Sequence, residues 1–440
     1  MKSHPTNNGP SYVKVLVLAI LGLWLVCAAA NAEFRFPMPE FESGYKQPHV
    51  EMPMPARYYP VLDTVVLAAS LILSAYLVMV RRSRAGLFAL AVASVLYFGF
   101  WRKGCVCPVG SLQNVLAALL DPAVGLPWLV LVFFVLPLLA ALFWGRVFCA
   151  GVCPLGAVQE LVAIRPVQLG KPLEAVLGLG AYLYLGLVVL GMTTNTGYLI
   201  CRYDPFIGFF RQGASFNMLL VGGIFLVLGV FIGRPYCRFL CPYGVLLRWM
   251  SMFSKWHAKI PPTACIQCRL CEASCPYGAI EMPTPEERPL SRREGARRVG
   301  WLLVAAPLIM GLGAGAGYLS HGFLSKLHPK VQLAERISGE ERGEFKDRTI
   351  DSDAFHAGKQ TPQQLYAEAN AIQSSFAIGA LCLGAFMGLV VVGKLVRFSR
   401  VRGRVDYEME RGACLSCGRC FAYCPVEKGN CPTEEDHAHS

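Results

Sequence analysis

Two groups of four closely spaced cysteines are the residues of this chain best suited to carry chemistry. Each group has the spacing C-x2-C-x2-C-x3-C and is followed directly by a proline. This spacing is typical of cysteines that bind 4Fe-4S clusters, whereas zinc sites more often show two separated C-x2-C pairs. The first group is Cys265, Cys268, Cys271 and Cys275, and the second group is Cys414, Cys417, Cys420 and Cys424.

In ferredoxins that hold two clusters, the cysteine before the proline binds the cluster of the other group. We therefore predict two 4Fe-4S clusters whose groups exchange their last cysteines. The first cluster is expected to be held by Cys265, Cys268, Cys271 and Cys424. The second cluster is expected to be held by Cys414, Cys417, Cys420 and Cys275. The alternative is two independent clusters, each bound by the four cysteines of its own group.

Four related phrases, each at the end of an apolar stretch, contain most of the remaining cysteines. The phrases are RKGCVCPVGSLQ, GRVFCAGVCPLGAVQ, YLICRYDPFIGF and GRPYCRFLCPYGVLL. The alternation of apolar stretch and phrase occurs over residues 87–160 and again over residues 177–250. This pattern indicates an internal two-fold repeat about an axis normal to a membrane.

The repeat is expected to gather two sets of ligands, which would bind one or two further iron–sulfur clusters. Near the cytoplasmic face the set would be Cys149, Cys153, Cys237 and Cys241. In a helix, the x3 spacing would place both cysteines of a pair on one face. Near the outer face the set would be Cys105, Cys107, Cys201 and Asp204. The aspartate is interpreted either as a fourth ligand or as a helix cap, and a disulfide between the outer cysteines is the alternative to metal binding.

Composition places these cysteines in a membrane protein. The chain has 440 residues, of which 54% are hydrophobic and only 16% are charged, and its mean hydropathy is +0.44. These values lie outside the range of soluble globular proteins. We predict an all-α polytopic membrane bundle of about 7 to 8 transmembrane helices. A cytoplasmic, bacterial-type 2[4Fe-4S] ferredoxin module, split by a helical hairpin, would be attached to it.

The predicted organisation follows the apolar stretches and the cysteine groups. Its segments are a signal peptide or first transmembrane helix at 1–32, a periplasmic arm at 33–59, the membrane bundle at 60–256, the first ferredoxin half at 257–299, a transmembrane hairpin with a periplasmic loop (321–372) at 300–397, and the second ferredoxin half and tail at 398–440.

The basic residues support this topology. The net charge of +12 comes mostly from Lys and Arg beside apolar stretches, which indicates anchoring by the positive-inside rule and not nucleic-acid binding. The rule places both cysteine groups in the reducing cytoplasm, where metal ligation is more common than disulfides. Arg102 and Lys103 fall on the outer side, against the rule. Asp63, near the start of a span, is interpreted either as a proton or quinol group or as interfacial scaffolding.

The C-x3-C-P phrases between apolar stretches, together with the two C-x2-C-x2-C-x3-C-P groups, resemble the membrane polyferredoxins of the NosR/NapH type. The resemblance covers about residues 60–280 and 400–425. It implies electron transfer between a quinol or cytoplasmic donor and a periplasmic acceptor, often a flavoprotein or reductase. No long segment precedes the first apolar stretch to hold the FMN domain of full NosR proteins, so we expect FMN only on a partner.

We therefore predict an iron–sulfur electron-transfer protein of the bacterial cytoplasmic membrane. Its partners would be membrane lipid, a cytoplasmic donor or quinol, and a periplasmic flavoprotein or reductase. The alternative is a redox-sensing protein, or one that assists assembly of a copper or iron metalloenzyme. No nucleophile–base constellation, phosphate loop or dinucleotide fingerprint is evident. The sequence thus indicates an electron-transfer subunit and not a stand-alone enzyme.

Overall fold

The computed structural model describes most of the chain between residues 58 and 425. The described residues are 58–104, 107–121, 125–164, 166–260, 266, 268–283, 292–345, 347–358, 360–399, 404 and 407–425. The predicted signal peptide, almost all of the predicted periplasmic arm, Cys105 and Cys265 lie outside them. Within this part of the chain, the regular structure is helical except for two short strands.

In the described residues, twelve α-helices and the short π-helical turn Phe148–Val152 precede the first cysteine group and form the bundle. The α-helices are α1 (Tyr58–Met79), α2 (Arg84–Ser94, continued by the π-helical segment Val95–Trp101), α3 (Pro108–Leu120), α4 (Trp128–Trp144), α5 (Pro154–Val162), α6 (Lys171–Leu177), α7 (Leu179–Thr193), α8 (Leu199–Tyr203), α9 (Pro205–Arg211), α10 (Phe216–Phe231), α11 (Pro235–Phe239) and α12 (Pro242–Met252).

The later elements carry the two cysteine groups and a long hairpin between them. They are α13 (Leu270–Ser274), β1 (Ile280–Glu281), α14 (Arg292–Leu319), α15 (His321–Ser325), α16 (Pro329–Glu341), α17 (Ile350–Ala357), α18 (Pro362–Ser399), β2 (Glu408–Met409) and α19 (Arg419–Tyr423).

Several of these helices are suited to a membrane. In the described residues, five are long and apolar enough to cross one, namely Tyr59–Met79, Arg84–Trp101, Lys171–Thr193, Gly295–Leu319 and Pro362–Ser399. A sixth span results if α9 and α10, which are bent by 113° at their junction, count as one. Helix α4 has 17 residues, fewer than the roughly 20 that a straight span needs. The sequence predicted about 7 to 8 spans, the first of which lies outside the described part.

Four helices of the bundle begin at a proline that follows a cysteine or an aspartate. The cap residues are Cys107 before α3, Cys153 before α5, Asp204 before α9 and Cys241 before α12. All four have extended backbone, because the residue before a proline is sterically driven out of the helical conformation. The proline itself fits the first helical turn, where no intrahelical N–H is needed. Each phrase therefore turns sharply at its cap.

Two hydrogen bonds locate these turns deep in the bundle. Ser94 donates to a main-chain carbonyl beside Cys153, and it lies ten residues, or roughly 15 Å of helix, from the start of α2. The Tyr243 hydroxyl, two residues after Cys241, donates to the carbonyl of Phe134 at 2.6 Å, ten residues before the end of α4. Since a hydrocarbon core is about 30 Å thick, both turns lie about half a bilayer from these helix ends.

Helices α14 and α18 form a closely packed hairpin. At Gly313 and Gly317 of α14 and at Gly384 of α18, an added Cβ would meet the backbone of the other helix. Small residues at such positions allow the close backbone contact that stabilises helix pairs in membranes. With 38 residues, α18 is roughly 57 Å long, so it extends well past a hydrocarbon core. Beyond α14 it packs against α16, with which it shares a second, smaller core.

The two cysteine groups meet in one unit, which we call the ferredoxin part and define as residues 268–283 and 407–425. Strands β1 and β2 pair antiparallel, with Ile280 opposite Met409, and α13 packs against α19. The Glu410 N–H also donates to the carbonyl of Ala279 at 2.8 Å. Tertiary contacts therefore join two segments that the whole α14–α18 hairpin separates in sequence.

Candidate functional site

One cavity of the ferredoxin part is lined by cysteines from both groups. Its walls include Cys275 of the first group together with Cys414, Cys417 and Cys420 of the second. This is the grouping that an exchange of last cysteines requires. Two independent clusters would instead need Cys275 to face the other members of its own group. The geometry favours the exchanged assignment, which stays a prediction until a cluster is measured.

The loops of the two groups have corresponding backbones. The residue after the second cysteine is Arg269 in the first group and Gly418 in the second, and both are left-handed, with φ of 63° and 70°. Each caps a short helix, α13 or α19. A left-handed residue reverses the chain locally, which lets successive thiolates face one centre. Gly418 adopts this conformation at no steric cost, whereas the conformation is sterically unfavourable for Arg269 because of its Cβ.

The other predicted cluster is described less completely. Cys271 lies on α13 and Cys424 directly follows α19, and these two helices pack against each other. Cys268 is exposed at the edge of the unit. Cys265, the remaining predicted ligand, lies outside the described residues. The packing thus brings together the parts of both groups that the first predicted cluster requires.

The donor set of the cavity fits a 4Fe-4S cluster. Among the described residues, no histidine or carboxylate lines the cavity beside the four thiols, and thiolates are the ligands that iron–sulfur clusters select. Burial raises the pKa of the Cys414 thiol to about 12, so this thiol needs a bound cation to ionise at neutral pH. In the described residues, no three His, Cys, Asp or Glu side chains surround a single-ion position. Thiolates that bind different irons of one cubane cluster are farther apart than ligands that surround a single ion.

The four cysteines of the second and fourth membrane phrases are buried. Cys149, Cys153, Cys237 and Cys241 are each 7–8% exposed. Their sulfurs face polar hydrogens: the Arg146 guanidinium lies 3.7 Å from Cys149, the Gln159 amide 3.3 Å from Cys237, and the Gly244 N–H 3.4 Å from Cys241. Such donors stabilise negative charge on sulfur and tune the potential of a bound cluster.

The expectation that each C-x3-C pair lies on one face of a helix is wrong for these phrases. Cys149 lies in a π-helical turn, Phe148–Val152, while Cys153 has extended backbone. Cys237 lies in α11, while Cys241 is the extended cap of α12. The physical reason is the proline that follows each second cysteine, because it excludes the helical conformation from the residue before it.

Asp204 acts as a helix cap. One carboxylate oxygen accepts from the backbone N–H groups of Phe206 and Ile207, at 3.0 and 3.1 Å, and the other accepts from the Tyr236 hydroxyl. Both oxygens are thus engaged within the protein, which favours the cap over the ligand. Cys107, beside it, is buried and forms no disulfide with the described cysteines.

The two predicted ligand sets lie close together. The Tyr236 hydroxyl, directly before Cys237 of one set, donates to Asp204 of the other. The sequence placed one set near each membrane face. In the structure Cys107, Cys149, Cys153, Cys237 and Cys241 are buried, and their positions relative to the membrane faces stay a prediction.

Two buried glutamines link the halves of the predicted repeat, and sequence reasoning missed them. Gln113 accepts from the backbone N–H of Ile200, directly before Cys201. Gln159 accepts from the N–H of Tyr236, directly before Cys237, and both distances are 3.0 Å. Each glutamine ends a C-P-x-G-x2-Q sequence of the first half, which is the signal that would have revealed them. The matching contacts favour the two-fold repeat.

Asp63 forms an ion pair with a basic residue of the first phrase. Arg102, one of the two residues that opposed the predicted topology, lies 2.7 Å from the Asp63 carboxylate. The Tyr97 hydroxyl donates to the same carboxylate at 3.0 Å. Since Asp63 is fully buried, this contact satisfies it and favours the scaffolding interpretation.

Glu160 contacts both the bundle and the ferredoxin part. It follows Gln159 in α5, is 2% exposed, and accepts from three arginines and one tyrosine. Burial acts to raise the pKa of this carboxyl, but the guanidinium groups outweigh it and hold the pKa well below its usual range. No motif in the sequence marked this residue.

Comparisons with known proteins agree with the donor set. A family described as 4Fe-4S binding domain matches residues 84–127, 126–172 and 214–261, and a second family of the same description matches residues 258–281. No solved structure matches.

Curated relatives match part of the chain. Protein NirI of Paracoccus denitrificans is 30% identical over 46% of this chain and 31% of its own length. Regulatory protein NosR of Pseudomonas aeruginosa is 29% identical over 46% of this chain and 30% of its own length. The methylamine utilization ferredoxin-type protein MauN of Paracoccus denitrificans is 28% identical over 33% and 55%. The chain thus spans about a third to a half of these relatives.

The matched regions contain three of the four membrane phrases and the first cysteine group, and several helices are apolar enough to span a membrane. The chain therefore belongs to the NosR/NapH-like family of membrane ferredoxins with 4Fe-4S binding domains.

Proposed function

We propose that this protein carries electrons across the bacterial cytoplasmic membrane, between a cytoplasmic donor or quinol and a periplasmic flavoprotein or reductase. Bound iron–sulfur clusters would supply the one-electron chemistry, two in the ferredoxin part and one or two in the bundle. Any FMN would belong to the partner. The ferredoxin part would face the cytoplasm, as the positive-inside rule predicts.

One observation carries this proposal: the cysteine sets follow one another from the ferredoxin part into the bundle. The cavity of Cys275 and Cys417 lies in the ferredoxin part. Arg84 of the bundle donates to the carbonyl of Cys417. Its partner Glu160 also pairs with Arg234, which donates to the carbonyl of Cys149. Tyr236, directly before Cys237, in turn donates to Asp204 of the other membrane set. Since electrons move in steps between neighbouring carriers, this succession supports a path through the membrane.

The protein's own residues would hold the carriers and keep water away from them. Cys237 and Cys241 are buried, and Gln159 and Gly244 donate to their sulfurs. Helices α3, α5 and α12 begin at Cys107, Cys153 and Cys241. Because the N-terminus of a helix carries partial positive charge, these three ends favour negative charge at the centre of the bundle.

The second candidate function is redox sensing or help in assembling a metalloenzyme. The name of the relative NosR, a regulatory protein, favours it. A sensor needs clusters that respond to a donor, but it does not need electrons to reach the far side of the membrane. Transmembrane flow therefore separates the two candidates.

The test uses the purified protein in sealed vesicles that contain ferricyanide, a one-electron acceptor, with dithionite added outside. We expect the unaltered protein to bleach the trapped ferricyanide and Cys241→Ser to slow the bleaching at least tenfold. The matched control is Cys382→Ser, because Cys382 is exposed on α18, outside every motif. It is expected to leave the rate unchanged.

Two results would contradict the conduit. Bleaching by Cys241→Ser at the rate of the unaltered protein would exclude the membrane set from the path. No bleaching by the unaltered protein, with its ferredoxin clusters loaded and reducible, would favour sensing or assembly instead.

A further inference from the structure

A buried ionic cluster lies where the ferredoxin part meets the bundle. We define it as Glu160, Arg84, Arg234, Arg419 and Tyr277. One Glu160 oxygen accepts from Arg84 and from Arg419, the latter at 2.7 Å, and the other accepts from Arg234 at 2.9 Å and from the Tyr277 hydroxyl at 3.1 Å.

The members of this cluster come from five separate parts of the chain. Arg84 begins α2, Glu160 lies in α5, and Arg234 precedes α11, so these three belong to the bundle. Tyr277 follows the first cysteine group, and Arg419 lies between two cysteines of the second. A single carboxylate thus joins the bundle to both halves of the ferredoxin part.

Arg234 is held in a strained backbone conformation. Its φ is 52°, in the left-handed region that residues with a side chain seldom adopt. Such strain persists where surrounding contacts over-determine it, and it is concentrated at functional positions. Here the contacts are Glu160 and the carbonyls of Cys149 and Ala150, which accept from the two terminal nitrogens of the guanidinium.

The buried ionic cluster also contacts, on both sides, cysteines that are predicted to bind iron–sulfur clusters. On the ferredoxin side, Arg84 donates to the carbonyl of Cys417 at 2.8 Å. On the bundle side, Arg234 donates to the carbonyl of Cys149. Three guanidinium groups face one carboxylate, so the interface retains excess positive charge. Anionic thiolate-bound clusters on either side would gain from that charge.

We propose that the buried ionic cluster is an electrostatic joint: Glu160 seats the second cysteine group on the bundle, and Arg234 supplies positive charge between the sites at Cys417 and Cys237. Glu160 and Arg234 are thus positioning residues and touch no reacting atom. The inference rests on the proposed function, since it concerns how two of its carriers are held together. No bond is made or broken at the joint.

The test compares Glu160→Gln, Arg234→Gln and Arg234→Lys with Glu174→Gln in the anaerobically purified, iron-loaded protein. Glu174 is the matched control, because it is a carboxylate that pairs with Arg238 near the same interface but is 28% exposed. Two properties are measured: amide hydrogen exchange of residues 407–425, and the reduction potentials of the clusters by EPR-monitored titration.

We expect Glu160→Gln to accelerate exchange in 407–425 at least tenfold, because three arginines lose their common partner. Arg234→Gln is expected to shift the potential of the second-group cluster to more negative values, whereas Arg234→Lys, which keeps the charge, restores most of it. Glu174→Gln is expected to change neither property. A role in packing alone would make Arg234→Lys and Arg234→Gln equivalent, since both lose the guanidinium contacts.

Unchanged exchange in Glu160→Gln would overturn the seating role. An unshifted potential in Arg234→Gln, or equal shifts in Arg234→Gln and Arg234→Lys, would overturn the electrostatic role. The proposed transmembrane electron path can be wrong while this inference holds. If the bundle binds no iron–sulfur cluster, the potential of the cluster at the second cysteine group still tests the role of Arg234.

Discussion

Replacing Cys275 with serine is expected to empty the cluster site of the other cysteine group. Cys275 belongs to the first group in sequence, but it lines the cavity of Cys414, Cys417 and Cys420. A serine hydroxyl is a poor replacement for a thiolate in an iron–sulfur cluster, because soft sulfur ligands are what such clusters select. The single variant therefore tests a tertiary contact that sequence order alone does not reveal.

The magnitude follows from the shared cavity. A 4Fe-4S cluster contains four irons, so Cys275→Ser and Cys417→Ser are each expected to lose about four irons per chain. Their double variant should also lose only about four, because both cysteines serve one cluster. By contrast, Cys275→Ser combined with Cys271→Ser should lose about eight, since the two residues then serve different clusters.

The assay is iron and acid-labile sulfide per chain in anaerobically purified protein, with EPR after stepwise reduction. Cys382→Ser is the control for handling losses, because Cys382 lies on the exposed side of α18. The opposite pattern would refute the exchanged assignment. In that case the Cys275/Cys417 double variant loses about eight irons and the Cys275/Cys271 double variant about four, as independent groups require.

Four further changes have expected outcomes. Gly317→Val should destabilise the α14–α18 hairpin by about 1–3 kcal/mol, measured by thermal unfolding in detergent, because its Cβ would clash with a main-chain carbonyl of α18. Gly315→Val is the control, with open space around its Cβ. Asp204→Asn should retain the iron content, since asparagine also caps helices; loss of iron from the folded variant would identify Asp204 as a ligand. Arg269→Gly should raise the temperature of iron release, because it relieves a left-handed backbone, and Gly418→Ala should lower it.

Much of the local structure was predictable, because it depends on residues that are neighbours in sequence. The spacing from Cys414 to Cys420 indicates one iron–sulfur loop, and the left-handed residue at Gly418 is the local turn that such a loop uses. The extended caps at Cys153 and Cys241 also follow from the next residue, which is proline. The expectation that both cysteines of a C-x3-C pair lie on one helix face was wrong there, because helical periodicity does not include the effect of proline on the residue before it.

Depth within the membrane was harder to predict. Apolar stretches give the number of candidate spans. A short apolar stretch, however, has the same composition whether it crosses the bilayer or turns back inside it. The bend of 113° between Pro205–Arg211 and Phe216–Phe231 is a property of packing. For the same reason, the sequence did not indicate that Tyr236, directly before Cys237, contacts Asp204 of the other predicted set.

By itself, the sequence determined the class of cofactor, the membrane environment and the local turns of the cysteine loops, because thiolate spacing, hydropathy and proline sterics act over a few residues. Only the tertiary structure decided which groups meet across long separations. It placed Cys275 beside Cys414, and it brought Arg84, Arg234 and Arg419 to Glu160. Such contacts arise when distant segments pack and a buried charge must find partners, and no local pattern in the chain records that choice.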